Sequence, residues 1–367
     1  MTLRVLHVLH QGGGAGSVTS TLHLSIGLQK SGVDVRFVCP PDTEVESLAR
    51  ARGLDVYPLS LAPRRRRANA SAIADLLGRV PVDLVNSQSA RDREALTWLA
   101  LRGRIRVPLV FTRRQMPRTF VLENWLMGRA ASCVVAVSRP VAEALRQKGT
   151  PANKLVVIPN GLVTERVDVT VDPMALEAWR HRISWTAGQR TIGIVARPKD
   201  QMVVLEALES VSTPVRLVLA GVDPSGPLAT AARRVPPRHA VVCIPFTAEI
   251  RPLYDLLDVI LLPSRIEGLS QSLLEAMALG KPVIASAAAG NLELIATEVS
   301  GLLVPPLEAR AWAAAIERIL QDEAFALRLG SAARRTARET FSLDRTVERT
   351  RWLYESLVSG PALAPST

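Results

Sequence analysis

The sequence predicts an α/β chain made of two doubly wound parallel sheets. Three observations carry that expectation. With 367 residues the chain is too long for one ordinary core, since domains commonly run roughly 100 to 200 residues. Apolar runs of strand length, such as Leu217-Val218-Leu219-Ala220 and Val259-Ile260-Leu261-Leu262, alternate with helix-patterned stretches through both halves, which is the rhythm of βαβ units. The first such run passes directly into the glycine-rich turn Gln11-Gly12-Gly13-Gly14-Ala15-Gly16-Ser17, the position where sheets of this kind hold ligands.

Taken in order, the first half predicts strands at 4–9, 34–38, 54–59, 84–86, 109–112, 133–138 and 155–158. Helices are predicted between them at 17–30, 43–52, 90–101 and 139–148, with an Ala/Ile/Leu-patterned helix after the run Arg64-Arg65-Arg66-Arg67. Pro159-Asn160-Gly161 closes this half as a turn, and a less regular stretch from 164 to 188 precedes the next strand at 191–196. The domain boundary is therefore expected there, giving residues 1–180 and 181–342. The second half repeats the pattern with strands at 215–220, 240–244, 259–262 and 282–285 and helices at 202–211, 228–234, 250–256 and 270–279. Helices at 309–320, 323–340 and 343–358 end the chain, and 361–367 reads as a frayed tail.

Composition narrows the functional classes. No apolar run approaches the roughly 18 residues of a membrane-spanning helix, and the N-terminus reads as a first strand rather than a secretory leader. Cys39, Cys133 and Cys243 are far apart; they show no zinc-ligand or disulfide spacing and read as reduced core residues. His7, His23, His181 and His239 have no metal-like spacing either, so no metal is expected. The expected location is the cytoplasm. A net charge of +11 implies an acidic partner of some kind. Nucleic acid is not expected, because the basic residues are spread along the chain, aromatics are few, and no stacking motif appears. Arg64-Arg65-Arg66-Arg67 reads as a solvated loop or a binding patch. Arg113, Arg114 and Arg118 adjoin Phe120, Val121, Leu122, Trp125 and Leu126, a combination that fits either an ordinary half-buried helix or a basic amphipathic surface on an anionic membrane.

Three constellations carry chemistry. In the glycine-rich turn the backbone can approach a ligand, and the helix that follows offers free N–H groups to an anion. A dinucleotide fingerprint also needs an acidic residue at the end of the second strand, where Val38-Cys39-Pro40-Pro41 stands instead. The second constellation is Pro263-Ser264-Arg265-Ile266-Glu267-Gly268-Leu269-Ser270-Gln271-Ser272-Leu273-Leu274-Glu275-Ala276-Met277-Ala278-Leu279-Gly280-Lys281-Pro282. Ser270 can cap the helix and Gly280 can end it. Glu267 then lies in the loop and Glu275 about a turn into the helix, so two carboxylates can hold hydroxyl-rich groups on either side of a phosphate over the helix N-terminus. The third is Gly193-Ile194-Val195-Ala196-Arg197-Pro198-Lys199-Asp200, which puts two cations at the carboxyl end of a strand, where they can neutralise charge on a leaving diphosphate without a metal.

At these residues the sequence resembles the retaining glycosyltransferases of family 4, in the GT-B superfamily, whose signature is two glutamates separated by seven residues in this strand-loop-helix setting. The resemblance also takes in Ile158-Pro159-Asn160-Gly161, Ser300-Gly301-Leu302-Leu303-Val304-Pro305 and the closing Phe341-Ser342 through Tyr354. It implies two Rossmann-like domains facing a cleft, with helix 343–358 packing back on the first. It further implies that Glu275 binds the ribose of a nucleotide-diphosphate sugar and Glu267 its sugar, that Gly268, Leu269 and Ser270 offer N–H groups, and that Arg197 and Lys199 hold the diphosphate. The connection carrying Lys199 is shorter than the family's usual one. Where relatives carry a histidine in a pattern like His-Ser-Ser, this chain has Ser87-Gln88-Ser89; glutamine can hydrogen-bond a sugar hydroxyl and cannot carry a proton. A catalytically impaired nucleotide-sugar-binding protein is therefore the alternative reading. His10 reads as a donor to ligand or as structural. The acceptor, a glycan or a lipid-linked precursor of lipopolysaccharide or polysaccharide at the membrane face, is expected beside Gly14, Gly16, Gln88 and Arg113.

Overall fold

The computed structural model describes residues 2–13, 16–117, 119–247 and 249–360, which fall into two compact units. The first comprises Met1–Gly161 with Leu343–Thr367, and the second Leu162–Ser342.

The first unit runs β1 (Arg4–Val8), α1 (Gly16–Lys30), β2 (Asp34–Cys39), α2 (Glu44–Ala51), β3 (Asp55–Pro58), α3 (Arg66–Arg79), β4 (Leu84–Ser87), α4 (Ala90–Ala100), β5 (Leu109–Arg113), α5 (Val121–Ala130), β6 (Cys133–Ala136), α6 (Arg139–Gln147) and β7 (Leu155–Val157). Its seven strands are parallel in the order β3-β2-β1-β4-β5-β6-β7. Strands covered by helices on both faces are buried on both sides, and β4, β5 and β6 are buried along their whole length. Val5, Leu9, Val35, Phe37 and Val110 pack with Leu22 and Leu28 of α1 into one core.

The second unit continues with α7 (Thr164–Val167), α8 (Pro173–Arg182), β8 (Arg190–Val195), α9 (Met202–Ala207), β9 (Val215–Ala220), α10 (Pro227–Ala232), β10 (Ala240–Ile244), α11 (Arg251–Leu256), β11 (Val259–Leu262), α12 (Gln271–Ala278), β12 (Val283–Ser286), α13 (Asn291–Leu294), β13 (Leu302–Val304), α14 (Ala309–Gln321) and α15 (Glu323–Thr340). Six parallel strands lie in the order β10-β9-β8-β11-β12-β13, around a core that includes Ile192, Leu217, Leu261, Trp312 and Phe325.

Both sheets reverse their winding at one place, between β1 and β4 in the first and between β8 and β11 in the second. Ligands of open α/β sheets sit outside the carboxyl ends of the strands at such a switch point. The glycine turn and Gln88 follow β1 and β4; Arg197, Lys199 and Glu267 follow β8 and β11. Topology thus brings each group of sequence candidates to one edge of its own sheet.

The unit boundary falls after Gly161, earlier than the expected division at 180, because the less regular stretch belongs to the second unit. It forms α7 and α8, buries Val167, Trp179 and Ile183, and is tied down where Leu162 N donates to Phe341 O at 2.6 Å and Arg251 Nε to Val167 O at 3.0 Å. Of these helices, α7 was illegible locally since it spans four residues, too few to show a period. After α15 the chain returns to the first unit as α16 (Leu343–Ser359). There Tyr354, fully buried, meets His7 Nε2 at 2.9 Å and accepts from Asn86 Nδ2, while His7 Nδ1 meets Ser25 Oγ at 2.7 Å.

One expectation about charge needs correction. Arg113 and Arg114 contribute nothing to a basic surface, because they point into the sheet edge and are buried; Arg118 lies outside the described residues. The apolar side of that segment is open nonetheless, with Phe120 84%, Val121 60% and Leu122 66% exposed. No helix among the described residues is long and apolar enough to cross a membrane.

Candidate active site

In the second unit the site is built on the turn between β11 and α12. Ser270 has extended backbone angles and its Oγ accepts from Leu273 N at 3.3 Å, an N-cap that starts α12 where the sequence placed it. Gly280, at φ +76°, ends the helix in the left-handed region open to glycine. The N–H groups of Gly268, Leu269 and Ser270 donate to nothing among the described residues, so they remain orphan donors at a helix N-terminus. The loop's shape is held from behind. Gly290 N donates to Glu267 O at 3.2 Å, and a Cβ on Gly290 would lie 1.9 Å from Gly268 O, so only glycine lets the two backbones meet.

Two ion pairs stitch this loop to the one after β8. Lys199 Nζ bonds Glu267 Oε1. Beside it, Asp200 accepts from Arg265 N at 3.0 Å, Nε at 3.2 Å and Nη2 at 3.1 Å. Gln201 Nε2 closes the turn on Arg197 O at 2.8 Å. The Arg197 guanidinium is exposed and has no partner among the described residues. The structure therefore joins Lys199 to Glu267 and leaves Arg197 on the rim.

Glu275, one turn into α12, is buried to 9% exposure. Its Oε1 accepts from Arg166 Nε at 2.9 Å, and its Oε2 lies 3.3 Å from the Tyr254 hydroxyl, which also reaches Ser272 O at 3.1 Å. Burial pushes the carboxyl above the ordinary glutamate value, against the opposing pull of Arg166. Both oxygens lie toward groups that can hold them still, as orientation of a ligand requires.

In the first unit, Gly14 lies outside the described residues and Gly16 is the first residue of α1. Gln88 and Arg113 are both buried but do not meet. Successive side chains alternate across a strand. Arg113 Nη1 accordingly reaches Asn124 Oδ1 of α5 at 3.4 Å, while Arg114 Nη1 takes Gln88 Oε1. His10 closes a separate network: its Nδ1 lies 2.6 Å from Ser89 Oγ and 3.1 Å from Asp92 Oδ1. Burial alone would raise the Asp92 carboxyl. Hydrogen bonds with His10, Ser89 and Ser87 outweigh it and hold Asp92 below its ordinary value.

With the geometry in place, family models account for most of the chain. Residues 14–166 match the model of Glycosyltransferase Family 4 and residues 189–322 that of Glycosyl transferases group 1. The chain belongs to the family 4 glycosyltransferases. Among its relatives, D-inositol 3-phosphate glycosyltransferase of Xylanimonas cellulosilytica is 31% identical over 270 residues, covering 66% of this chain and 64% of that protein. O-antigen chain mannosyltransferase C of Escherichia coli is 27% identical over 240 residues, covering 62% of each chain. The match thus spans somewhat under two thirds of either relative. Among solved structures, Anabaena HepE in complex with UDP-glucose superposes with a TM-score of 0.81 at 20% identity, over 96% of this chain and 100% of that one, and the shared fold is GT-B.

Several residues of this site escaped the sequence reading. Arg166 sat in the stretch read as irregular, and Tyr254 gave no motif. Arg114 stood next to Arg113, and strand alternation was the one available signal that the two face opposite ways. Asp92 did carry a signal, standing three residues after Ser89 in a capping box at the start of α4.

Proposed function

We propose that this glycosyltransferase takes a nucleotide-diphosphate sugar and transfers the sugar, with retention at the anomeric carbon, to an acceptor hydroxyl. One observation carries the reading. Lys199 and Glu267 pair at the β8/β11 switch point beside three unused N–H groups at the start of α12, with a buried glutamate one turn further on.

Glu275 accepts the ribose hydroxyls, fixed by Arg166. The diphosphate lies over the N–H groups of Gly268, Leu269 and Ser270. Lys199 leaves Glu267 for the phosphates, which frees Glu267 to accept from the sugar's hydroxyls. Arg197 adds a second cation as negative charge builds on the leaving diphosphate, and no metal is called on. Acceptor hydroxyls enter at the carboxyl edge of the first sheet, near Gly16 and Gln88. A relative named for O-antigen chain synthesis supports a glycan or lipid-linked acceptor in the cell envelope, and the exposed Phe120, Val121, Leu122 and Trp125 support a peripheral position on an anionic membrane face.

The test is release of nucleoside diphosphate from a donor panel with and without acceptors, alongside thermal denaturation. A donor at one hundred times its dissociation constant should stabilise the protein by about 2.7 kcal/mol. No shift with any nucleotide-diphosphate sugar would sink the reading. A second reading, donor binding without turnover, has one observation behind it: Gln88 cannot carry a proton, and its carbonyl oxygen is already taken by Arg114. A donor shift without product across the acceptor panel is its signature. The membrane position fails if vesicles of anionic lipid leave the protein unbound at low salt.

A further inference from the structure

The carboxyl edge of the first sheet is out of electrical balance. Arg93, Arg113 and Arg114 are buried to 8%, 6% and 8% exposure, and Asp92 is the one buried carboxylate in that unit among the described residues. Asp92 has nothing to spare. Its oxygens accept from Ser87 Oγ, Ser89 Oγ and the backbone N–H groups of Gln88 and Ser89, and meet His10 Nδ1. Arg114 bonds only Gln88 Oε1; its Nε has no partner, and neither does Gln88 Nε2. Asp92 and the exposed Glu123 act on these guanidiniums without bonding any of them; a buried cation with no carboxylate bonded to it is unfavourable, and buried donors without acceptors add to the cost. Burial pushes the Arg114 guanidinium down to about 10, which still leaves it charged at neutral pH. A fold that keeps such a group has a use for it.

The two side chains are neighbours by construction. Gln88 follows β4 and Arg114 follows β5, strands paired with Ser87 opposite Phe111. Gln88 N donates to Val8 O at 2.9 Å, so the pair lies at the edge where β1 enters its glycine turn and α1 begins. No acidic residue occupies the first turn of α1, so nothing there competes with an incoming anion. Arg114 Nε–H and the two protons of Gln88 Nε2 make three unused N–H bonds. A carboxylate offers two oxygens, whereas a phosphoryl group offers three and suits the guanidinium fork.

We propose that Arg114 and Gln88 form a receptor for a phosphoryl group carried by the acceptor, so that this enzyme's acceptor is a phosphate-bearing molecule. The link to the acceptor rests on the transfer reaction proposed above; the anion site is tested without it. The same chemistry comes from a soluble sugar or polyol phosphate or from a phospholipid head, and the experiment separates them.

Full-length protein, free of nucleotide, is melted in inorganic phosphate and in sodium chloride of matched ionic strength, then with glycerol 1-phosphate and with phosphatidylcholine vesicles with and without phosphatidic acid. Free phosphate also fits the N–H groups at α12, so the readout is the part of the shift that depends on Arg114. Expected is stabilisation by phosphate beyond chloride, with R114Q binding phosphate roughly 10- to 100-fold more weakly and R114K falling between, since lysine keeps charge without the fork. R114Q should melt no lower than the parent in phosphate-free buffer, because it removes a surplus buried cation. Response to glycerol 1-phosphate marks a soluble acceptor, and response to phosphatidic acid vesicles alone marks a lipid one. If R114Q melts lower and responds to phosphate as the parent does, Arg114 is structural and the proposal is wrong. It is equally wrong if no probe gives an Arg114-dependent shift. E275A separates the two readings, because it should lose the response to nucleotide sugar and keep the Arg114-dependent response to phosphate.

Discussion

The two switch points of this molecule are built on one topology and differ in how their charges are paired. At β8 and β11 every buried or half-buried acid has a cation: Lys199 with Glu267, Arg265 with Asp200, Arg166 with Glu275. Around the ends of β4 and β5 three buried guanidiniums, none bonded to a carboxylate, share one buried carboxylate whose oxygens are taken. A site whose acids are all paired must exchange partners when a charged ligand enters, and its ion pairs keep the loops in shape until then. A site with unmet charge is instead held open at a cost to stability, which its ligand relieves. The pairing thus suits a diphosphate that arrives and leaves in each turnover, and the surplus suits an anion that is selected.

The largest test of this contrast is at Glu275. E275A should remove the donor-induced stabilisation of about 2.7 kcal/mol expected at one hundred times the dissociation constant. E275Q should lose it too while the unliganded protein melts no lower. Because burial raises the folded pKa of this carboxyl, its contribution is favourable below the ordinary glutamate pKa and is lost as pH rises through the raised one. A thermal scan of E275Q in neutral buffer checks this, and a clear drop in melting temperature would mean that Arg166 more than repays the burial.

Next is Gly290. G290A forces a Cβ to within 1.9 Å of Gly268 O, so the loop must shift, at about 1 to 3 kcal/mol, and donor binding should weaken with it. Urea unfolding and donor titration of one variant check both; normal stability and affinity together would show that the loop's position is not set from behind.

An effect of comparable size, read against pH rather than against ligand, comes from the first unit. Burial pushes His7 down to about 3, so the folded protein holds it neutral. The unfolded chain binds a proton below the ordinary value near 6.5. This stability is therefore complete above about pH 6.5 and lost as pH falls from there toward 3, by up to about 1.4 kcal/mol per pH unit. In H7Q that part of the slope should vanish, which the urea midpoint between pH 7 and pH 4 measures; an unchanged slope would assign the loss to other groups.

The smallest expected change is at Asp200 and Arg265, whose arginine is half exposed. Such pairs contribute roughly 0 to 1 kcal/mol. D200N should leave the melting temperature nearly unmoved and loosen donor binding slightly, through the loop. A large loss of stability would show that the stitching between the two loops is structural.

Much of this protein was legible in its residue order. The apolar runs that became β4, β9 and β11 and the caps that start and stop α12 are short-range features, and short-range physics places them: alternating burial, a serine accepting from the helix it begins, a glycine tolerating φ +76° at its end. Spacing alone put Glu267 and Glu275 at one helix N-terminus, and Arg197 and Lys199 at the end of β8. Three things were decided only when the chain folded. Arg166 joined Glu275 from 109 residues away. Gln88 met Arg114 rather than Arg113, because adjacent residues of a strand face opposite sides. Residues 162–188 went to the second unit, where α8 packs on α11 and α7 on α12. Each is a choice of partner between groups distant in sequence, made by which face and which core the backbone presents.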